Sequence, residues 1–184
     1  MCSSDLREFF SVDWTPAVGE DGRLVEPGHQ FEWAWLLTRW SRLRGDRALM
    51  VDVRRLYETG NRGVDARAHV AMDALNDDLS LRSRQARLWP QTERLKAALI
   101  LAEEEPAGQG RTALLDDAAD ALAGLTRYLE PSGLYRDKLQ PDGSFTPEPS
   151  PASSLYHIMV ACEQLRARSE EHTSELQARA YLVC

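Results

Sequence analysis

Two amphipathic segments joined by a two-residue connection constrain the fold more than any other feature of the sequence. Apolar residues recur at helical spacing over residues 28–44 and again over residues 47–59, with only Gly45 and Asp46 between them. Glycine suits the C-terminal end of a helix, and Asp46 can cap the start of the next one. Because so short a connection makes the two helices neighbours, the sequence predicts a helical hairpin.

Paired helices are also predicted in the second half of the chain. A third helix begins near Leu88 and ends before Pro106, and a fourth covers residues 111–129. A last helix follows, capped by Ser153 or Ser154. Such pairs bury one face on their neighbours and need several repeats to close a core. We therefore predict an all-α fold.

Two stretches between the helices lack helical periodicity. Residues 64–87 mix apolar positions with a turn signal, Asn76-Asp77-Asp78, which predicts a short β-hairpin or a long loop. Residues 131–151 are rich in proline and glycine and predict a loop.

Composition excludes several classes of function. A length of 184 residues suits one domain, and the net charge of −7 disfavours nucleic acid as a partner, since phosphate binding requires a basic surface. No apolar run is long enough to cross a membrane, and no leader pattern opens the chain. We expect a cytoplasmic protein with no nucleic-acid or membrane partner, whereas the oligomeric state is left open.

Both ends of the chain resemble translated sequencing-adapter oligonucleotides. The N-terminal match is CSSDL at residues 2–6, and the C-terminal match is RSEEHTSELQ at residues 168–177, continued by LVC at residues 182–184. We therefore expect residues 1–6 and 168–184 to be adapter-derived and residues 7–167 to be one partial domain. Without the two ends the net charge is −5, because two basic and four acidic residues are removed.

The same exclusion leaves one cysteine, Cys162, and three histidines. A single cysteine makes no intramolecular disulfide, which fits a reducing compartment. Of the histidines, His69 has no predicted role beyond a surface or hairpin position, whereas His29 and His157 lie near helix starts.

His29 and Glu32 are the first candidate site residues. They are three residues apart at the start of the first helix and should project side by side. A carboxylate beside an imidazole raises the imidazole pKa and fixes its tautomer, and both effects assist proton transfer. The alternative is a helix start at which both side chains are merely solvated.

Trp89, Glu93 and His157 complete the candidate set. An indole and a carboxylate one helical turn apart provide a flat apolar face and an acceptor for sugar hydroxyls. The alternative is that Trp89 lies in the core, Glu93 is a surface residue and His157 is a hydrogen-bonded core histidine. If the three helices stand side by side, their N-terminal ends form one rim.

Three segments taken together resemble the C-terminal half of the N-acylglucosamine 2-epimerase superfamily. They are PGHQFEWAWLL at residues 27–37, RLWPQTE at residues 87–93 and PASSLYHI at residues 151–158. The last segment is most similar to the mannose isomerase branch, which includes proteins named mannose-6-phosphate isomerases. The resemblance covers residues 7–167.

The resemblance implies an (α/α)6 barrel and proton transfer that needs no metal or other cofactor. By motif position, His157 would remove the proton at C2 of an open-chain sugar, and His29 would assist ring opening or reprotonation of the enediol. Glu32 would orient His29, Glu93 would bind hydroxyls, and Trp89 would stack on the sugar. The substrate would be a monosaccharide: mannose, mannose 6-phosphate or another aldose. Arg84 and Arg87 are candidates for a phosphate contact.

The resemblance also implies missing parts. The first half of the family's barrel, which would contribute further site residues, has no counterpart here. We therefore expect a fragment that is inactive and exposes apolar surface.

Three other functions are compatible with the sequence. His29, Glu32 and His157 could form a zinc triad of a metal hydrolase. Glu32 and Glu93 could be the acid and base of a glycoside hydrolase. A non-catalytic helical-repeat binding module is the third possibility.

Overall fold

The computed structural model describes the backbone of residues 6–181 and the side chains of residues 6–168. Five α-helices account for most of the described chain: α1 (Pro27–Arg44), α2 (Met50–Asn61), α3 (Leu88–Glu104), α4 (Gln109–Thr126) and α5 (Ser153–Tyr181). Six short strands lie between them: β1 (Val64–Asp65), β2 (Val70–Ala71), β3 (Ala74–Leu75), β4 (Leu81–Ser83), β5 (Ala86–Arg87) and β6 (Lys138–Leu139).

The connection between α1 and α2 has the chemistry that the sequence predicts. Gly45 adopts a left-handed conformation with φ of 65°, and its N–H bonds to the carbonyl of Arg42, which ends α1. The Asp46 side chain accepts a hydrogen bond from the N–H of Ala48 at the start of a short 3-10 turn that leads into α2. The predicted helical hairpin is confirmed, because α1 and α2 pack against each other.

Helix α3 is the centre of the fold. It packs against α1, α4 and α5, and its residues are buried around almost the whole circumference. Leu95 and Ile100 are nearly inaccessible, as are the polar side chains of Gln91 and Glu93. A helix buried on all sides can hold polar groups only where partners satisfy them. Its buried polar residues therefore mark the places where neighbouring segments are fixed.

Arg94 is one such residue and connects α3 to α4. Its side chain is 3% exposed and forms ion pairs with Asp117 and Asp120. Asp117 also accepts a hydrogen bond from the Tyr57 hydroxyl on α2, and Asp120 pairs with His69. His69, for which the sequence predicted no role, therefore lies in the connection between β1 and β2, where it contacts α4.

The region predicted as a hairpin or long loop contains two small antiparallel strand pairs, β1–β2 and β3–β4. A third pair, β5–β6, joins the chain just before α3 to the proline-rich loop, with Arg87 opposite Lys138. The N–H of Leu88 also donates to the carbonyl of Asp137 at 2.8 Å. The loop before α5 is thus fastened to the start of α3.

Trp33, Leu36 and Trp40 on α1 are 44%, 38% and 51% exposed, although their apolar character favours burial. No described element packs on this face of α1, so the described chain exposes apolar surface there, as the sequence analysis expects. At α5, the Ser154 hydroxyl donates to Asp137 instead of capping the helix, and the helix continues past Ala167 to Tyr181.

Candidate active site

The first turns of α1, α3 and α5 meet at one end of the helices and line a single pocket. Its volume is about 430 Å³. The lining residues are His29, Glu32, Arg87, Trp89, Asp137, Lys138, Pro151, Ser153, Ser154 and His157. Four of the five predicted site residues therefore border one cavity, and the fifth, Glu93, lies behind it. A larger cleft of about 750 Å³ lies among residues 130–150 and includes none of them.

Trp89 contacts both histidines. Its ring centroid is 4.9 Å from that of His29 and 5.6 Å from that of His157, and the ring planes are inclined by 43° and 41°. The indole also covers the start of α1, where the absence of a side chain at Gly28 makes room for it. Both imidazoles are consequently held against one aromatic ring.

His157 is held by Glu93. Its Nδ1 is 2.7 Å from Glu93 Oε1, and the Glu93 side chain is fully buried. A carboxylate that accepts from Nδ1–H leaves Nε2 as the unprotonated nitrogen of a neutral imidazole. This arrangement suits a general base, because a base needs an available lone pair.

Glu93, predicted to bind sugar hydroxyls, does not face the pocket in this structure. Its two carboxylate oxygens face His157 and Lys96, and no part of the side chain is exposed. The sequence spacing placed Trp89 and Glu93 on one face of α3. That face is covered by α5, so that only its first turn borders the pocket.

His29 is held by Glu8, whereas Glu32 was predicted to orient it. Nδ1 of His29 is 2.7 Å from Glu8 Oε2 and 3.6 Å from Glu26 Oε2. The hydrogen bond that His29 donates to Glu8, assisted by the charges of Glu8, Glu26 and Glu32, raises the pKa of His29 against the opposing effect of burial. Glu32 therefore acts on His29 through its charge, while its side chain borders the open pocket.

Glu8 and Glu26 were missed by the sequence reasoning for different reasons. Glu8 precedes His29 by 21 residues in a segment without periodicity, so no spacing rule connects them. Glu26 lies three residues before His29, and the spacing argument that selected Glu32 applied equally to it. Burial raises the pKa of the Glu26 carboxyl, although the neighbouring Arg87 lowers it.

The cations that border the pocket are already paired. Arg87 Nη2 is 3.0 Å from Glu26 Oε2, and Arg87 Nε is 3.1 Å from Asp73 Oδ1. Lys138 Nζ is 2.7 Å from Glu148 Oε1. Arg84, the other residue considered for a phosphate contact, is exposed and does not border the pocket.

The residues predicted as a zinc triad do not form one in the described part of the chain. There, a metal-ligand grouping with all ligand atoms within 4.8 Å of one another consists of Glu8, Glu26 and His29. The Nδ1 atom of His29 is engaged by Glu8, and the Glu26 carboxylate is engaged by Arg87. The grouping is therefore accounted for as a network of ion pairs.

Comparison with known proteins identifies relatives over most of the chain. The family model for N-acylglucosamine 2-epimerase (GlcNAc 2-epimerase) matches residues 1–161. A mannose-6-phosphate isomerase of Rhizobium meliloti (strain 1021) is 49% identical over 166 residues, which are 89% of this chain and 43% of that protein. The chain thus spans less than half the length of this curated relative.

Solved structures show the same fold at lower identity. A crystal structure of D-mannose isomerase matches 91% of this chain and 45% of its own, with a TM-score of 0.71 and 18% identity. Cellobiose 2-epimerase from Bacillus thermoamylovorans B4167 matches 91% of this chain and 42% of its own, with a TM-score of 0.74 and 18% identity. The predicted fold class is confirmed: the chain is mostly helical and corresponds to under half of an (α/α)6 barrel. None of the described helices is both long and apolar enough to cross a membrane.

Proposed function

Because the chain belongs to the N-acylglucosamine 2-epimerase family, we propose that it carries part of the active site of an aldose–ketose isomerase or 2-epimerase of the mannose-to-fructose type. The observation that supports this most strongly is the pair of imidazoles in one pocket. Each has its Nδ1 atom 2.7 Å from a carboxylate oxygen, and each approaches the ring of Trp89. The pocket thus offers two nitrogen atoms for proton transfer and an aromatic face for a sugar.

In the proposed reaction, His157 is the base. Its Nε2 removes the proton from C2 of the open-chain aldose, and the electron pair of the C–H bond forms the C1–C2 double bond of an enediol as the carbonyl oxygen gains a proton. Return of a proton to C1, with loss of the proton from the C2 hydroxyl, gives the ketose. Return of a proton to C2 from the opposite face, with loss of the proton from the C1 hydroxyl, gives the epimer. Both products follow from one intermediate.

His29 is the proposed acid. Its raised pKa favours the protonated form, which can donate to the ring oxygen during ring opening or to the intermediate. Trp89 would stack on the sugar, and Glu32, which borders the same pocket, would accept hydrogen bonds from hydroxyl groups. In this proposal Glu93 positions His157 instead of binding the sugar.

The charges at the pocket favour a free monosaccharide. A phosphate group needs cations that it can pair with, but the cations of the described pocket, Arg87 and Lys138, already contact carboxylates. We therefore propose mannose as a better substrate than mannose 6-phosphate. The relative from Rhizobium meliloti bears the name of the phosphorylated sugar, which makes a direct comparison of the two substrates informative.

A chimera provides the test of activity. Residues 7–167 would replace the matching segment of the Rhizobium meliloti relative, and mannose would be incubated with the chimera in deuterated water. We expect fructose that contains solvent deuterium, with a higher kcat/KM for mannose than for mannose 6-phosphate. His157→Ala should abolish the exchange, whereas His69→Ala, which changes a histidine paired with Asp120 outside the pocket, should not. Exchange that survives in His157→Ala would remove this residue from the role of base.

We also propose that the isolated chain is inactive. His29 is 36% exposed and the α1 face beside it is open, so that solvent reaches the proposed acid from the side that the described helices do not cover. Exclusion of water from a site strengthens the electrostatic interactions that stabilise the enediol intermediate. Detectable turnover of mannose by the purified chain would contradict this proposal.

The alternatives make separable predictions. A carboxylate pair of Glu32 and Glu93 is disfavoured because Glu93 is fully buried and engaged by His157. A metal hydrolase would lose activity on chelation, and a binding module would retain its ligand affinity after replacement of both histidines.

A cytoplasmic location is proposed as well, since Cys162, the cysteine among the described side chains, is a free thiol.

A further inference from the structure

Lys96 is a buried charged residue beside the proposed base. Its side chain is 2% exposed, and its Nζ is 2.7 Å from Oε2 of Glu93, which is itself fully buried. The other carboxylate oxygen, Oε1, is 2.7 Å from Nδ1 of His157. Glu93 is therefore placed between one ammonium group and one imidazole.

The aromatic ring of Trp35 completes the surroundings of Lys96. Nζ lies 4.2 Å from the ring centroid, a distance at which a cation is attracted to the π face. Trp35 is itself fixed, because its Nε1–H donates to Gln164 Oε1 on α5 at 3.2 Å. The ammonium group is thus held on one side by a carboxylate and on another by an indole.

A buried carboxylate needs a compensating charge. Without one, burial favours uptake of a proton, either by the carboxylate itself or by a base hydrogen-bonded to it. In the described part of the chain, Oε2 of Glu93 makes no hydrogen bond of standard geometry, so that its compensation is the charge of Lys96. Removal of that charge would therefore draw a proton onto the Glu93–His157 pair.

We propose that Lys96 is a positioning residue for proton transfer: it keeps Glu93 ionised, and the carboxylate holds the proton of His157 on Nδ1 so that Nε2 remains free towards the pocket. The description of Nε2 as a base rests on the proposed function. The influence of Lys96 on the proton of His157 does not, because it follows from the contacts alone.

Other charged groups face the same region, and none of them replaces Lys96. Across the pocket from His157 lie His29, Glu32, Arg87, Asp137 and Lys138. Arg87 and Lys138 are each paired with other carboxylates. Arg39 on α1 lies 4.5 Å from the centroid of the Trp35 ring, but its side chain is exposed. Among these cations, Lys96 is the one that is both buried and in contact with Glu93.

The test is a measurement of where His157 carries its proton. Nitrogen-15 NMR of the imidazoles distinguishes an unprotonated Nε2 from a protonated one, and His157→Gln would assign the signals. The variants are Lys96→Met, which removes the charge, and Lys96→Gln, which removes the charge but keeps an N–H donor towards Glu93. Arg39→Met is the matched control, because it removes a cation from the same Trp35 ring.

We expect both Lys96 variants to lower the population with unprotonated Nε2 at least about threefold at about pH 8, with Arg39→Met unchanged. The proton can appear on Nε2 with Nδ1 unprotonated, or on both nitrogens, and either form shows that the lone pair is lost. If Lys96→Met does not fold, Lys96→Gln supplies the same comparison. An unchanged Nε2 signal in the folded variants would overturn the proposal.

A second measurement separates this inference from the proposed reaction. In the chimera, the Lys96 variants should lower kcat for mannose more than they raise KM, since the sugar contacts Trp89 and not Lys96. If the Nε2 signal changes but the wild-type chimera does not turn over mannose, the role of Lys96 stands and the proposed function fails. If turnover occurs and the Nε2 signal is unchanged, the proposed function stands and the role of Lys96 fails.

Discussion

Gly28 lies so close to Trp89 that a β-carbon at position 28 would be 2.5 Å from Cη2 of the indole. This contact fixes the ring that both His29 and His157 approach. It joins the first turn of α1 to the first turn of α3 at the edge of the pocket.

Replacement of Gly28 should therefore disturb the pocket and destabilise the chain. We expect Gly28→Ala to lower the free energy of unfolding by about 1–3 kcal/mol, because the added methyl group must displace Trp89 or the α1 backbone. Chemical denaturation followed by circular dichroism measures the change. Gly110→Ala in α4 is the control: its β-carbon would meet nothing closer than 3.7 Å, and alanine favours a helix by up to about 1 kcal/mol. Equal stabilities of the two variants would contradict the close contact.

The Glu8–His29 contact should be visible in the titration of His29. We expect Glu8→Gln to lower the pKa of His29 towards the ordinary histidine value of about 6.5, because the hydrogen bond to Glu8 is the largest cause of its raised pKa. Gln can still accept from the N–H of Glu26, which Glu8 Oε1 does at 3.1 Å. NMR titration of the histidine signals is the measurement, with the exposed Glu20→Gln as the control. An equal pKa of His29 in the Glu8→Gln and Glu20→Gln variants would show that the hydrogen bond to Glu8 does not raise it.

The same contact predicts a pH dependence of stability. A histidine whose pKa is raised on folding stabilises the folded chain fully below its unfolded pKa, and that stabilisation is lost as the pH rises through the folded pKa. The destabilisation by Glu8→Gln should therefore be larger at about pH 6 than at about pH 9. Urea unfolding at the two pH values tests this, and a difference of the opposite sign would exclude His29 as the source.

Removal of one partner of the buried Glu93–Lys96 pair should destabilise the chain strongly. Replacement of both partners by apolar residues should destabilise it much less. We expect Glu93→Gln to destabilise the chain by about 3–5 kcal/mol, because it leaves the ammonium of Lys96 buried without a counter-charge. The double variant Glu93→Leu, Lys96→Met should recover most of this loss, since apolar residues of similar size need no counter-charge. Glu148→Gln, which breaks an exposed pair with Lys138, should destabilise the chain much less than Glu93→Gln does. Equal losses in the single and double variants would show that the cost does not come from the unpaired charge.

The open face of α1 should bind hydrophobic dyes. Trp33, Leu36 and Trp40 are exposed together, and monomeric soluble domains rarely leave such a patch uncovered. We expect the double variant Trp33→Gln, Trp40→Gln to bind markedly less anilinonaphthalene sulfonate than the wild-type chain at nearly unchanged stability. Phe31→Ala, on the buried face of the same helix, should instead destabilise the chain by about 3–5 kcal/mol. Undiminished dye binding by the double variant would place the apolar surface elsewhere.

Helix boundaries were readable from the sequence because they depend on local chemistry. Gly45 and Asp46 end one helix and cap the next turn through contacts within a few residues, and the structure has both. The prediction for residues 64–87 was equally local, since Asn76-Asp77-Asp78 signals a turn within the β3–β4 pair. Local patterns of this kind can be interpreted without knowing which helices and strands pack against one another.

The partners of the two histidines were not readable, because they depend on tertiary packing. Glu93 was correctly placed on the face of α3 that Trp89 shares, but whether that face meets solvent or α5 is decided by the arrangement of helices. Glu8 lies in a segment without hydrophobic periodicity, and it contacts His29 only because of the tertiary fold. The exposure of Trp40 has a similar cause: an apolar stripe predicts a partner, but it does not say whether the described chain contains that partner.

The β5–β6 pairing has a consequence for engineering the molecule. Because it fastens Asp137 and Lys138 to the start of α3, the pocket wall does not depend on the outer part of the same loop. That outer part is a tight turn closed by the Gln140 N–H bonding to the Ser144 carbonyl at 2.8 Å, and residues 141–144 are exposed. A fluorophore, an epitope or an inserted domain could thus be attached at this turn without moving the wall of the pocket.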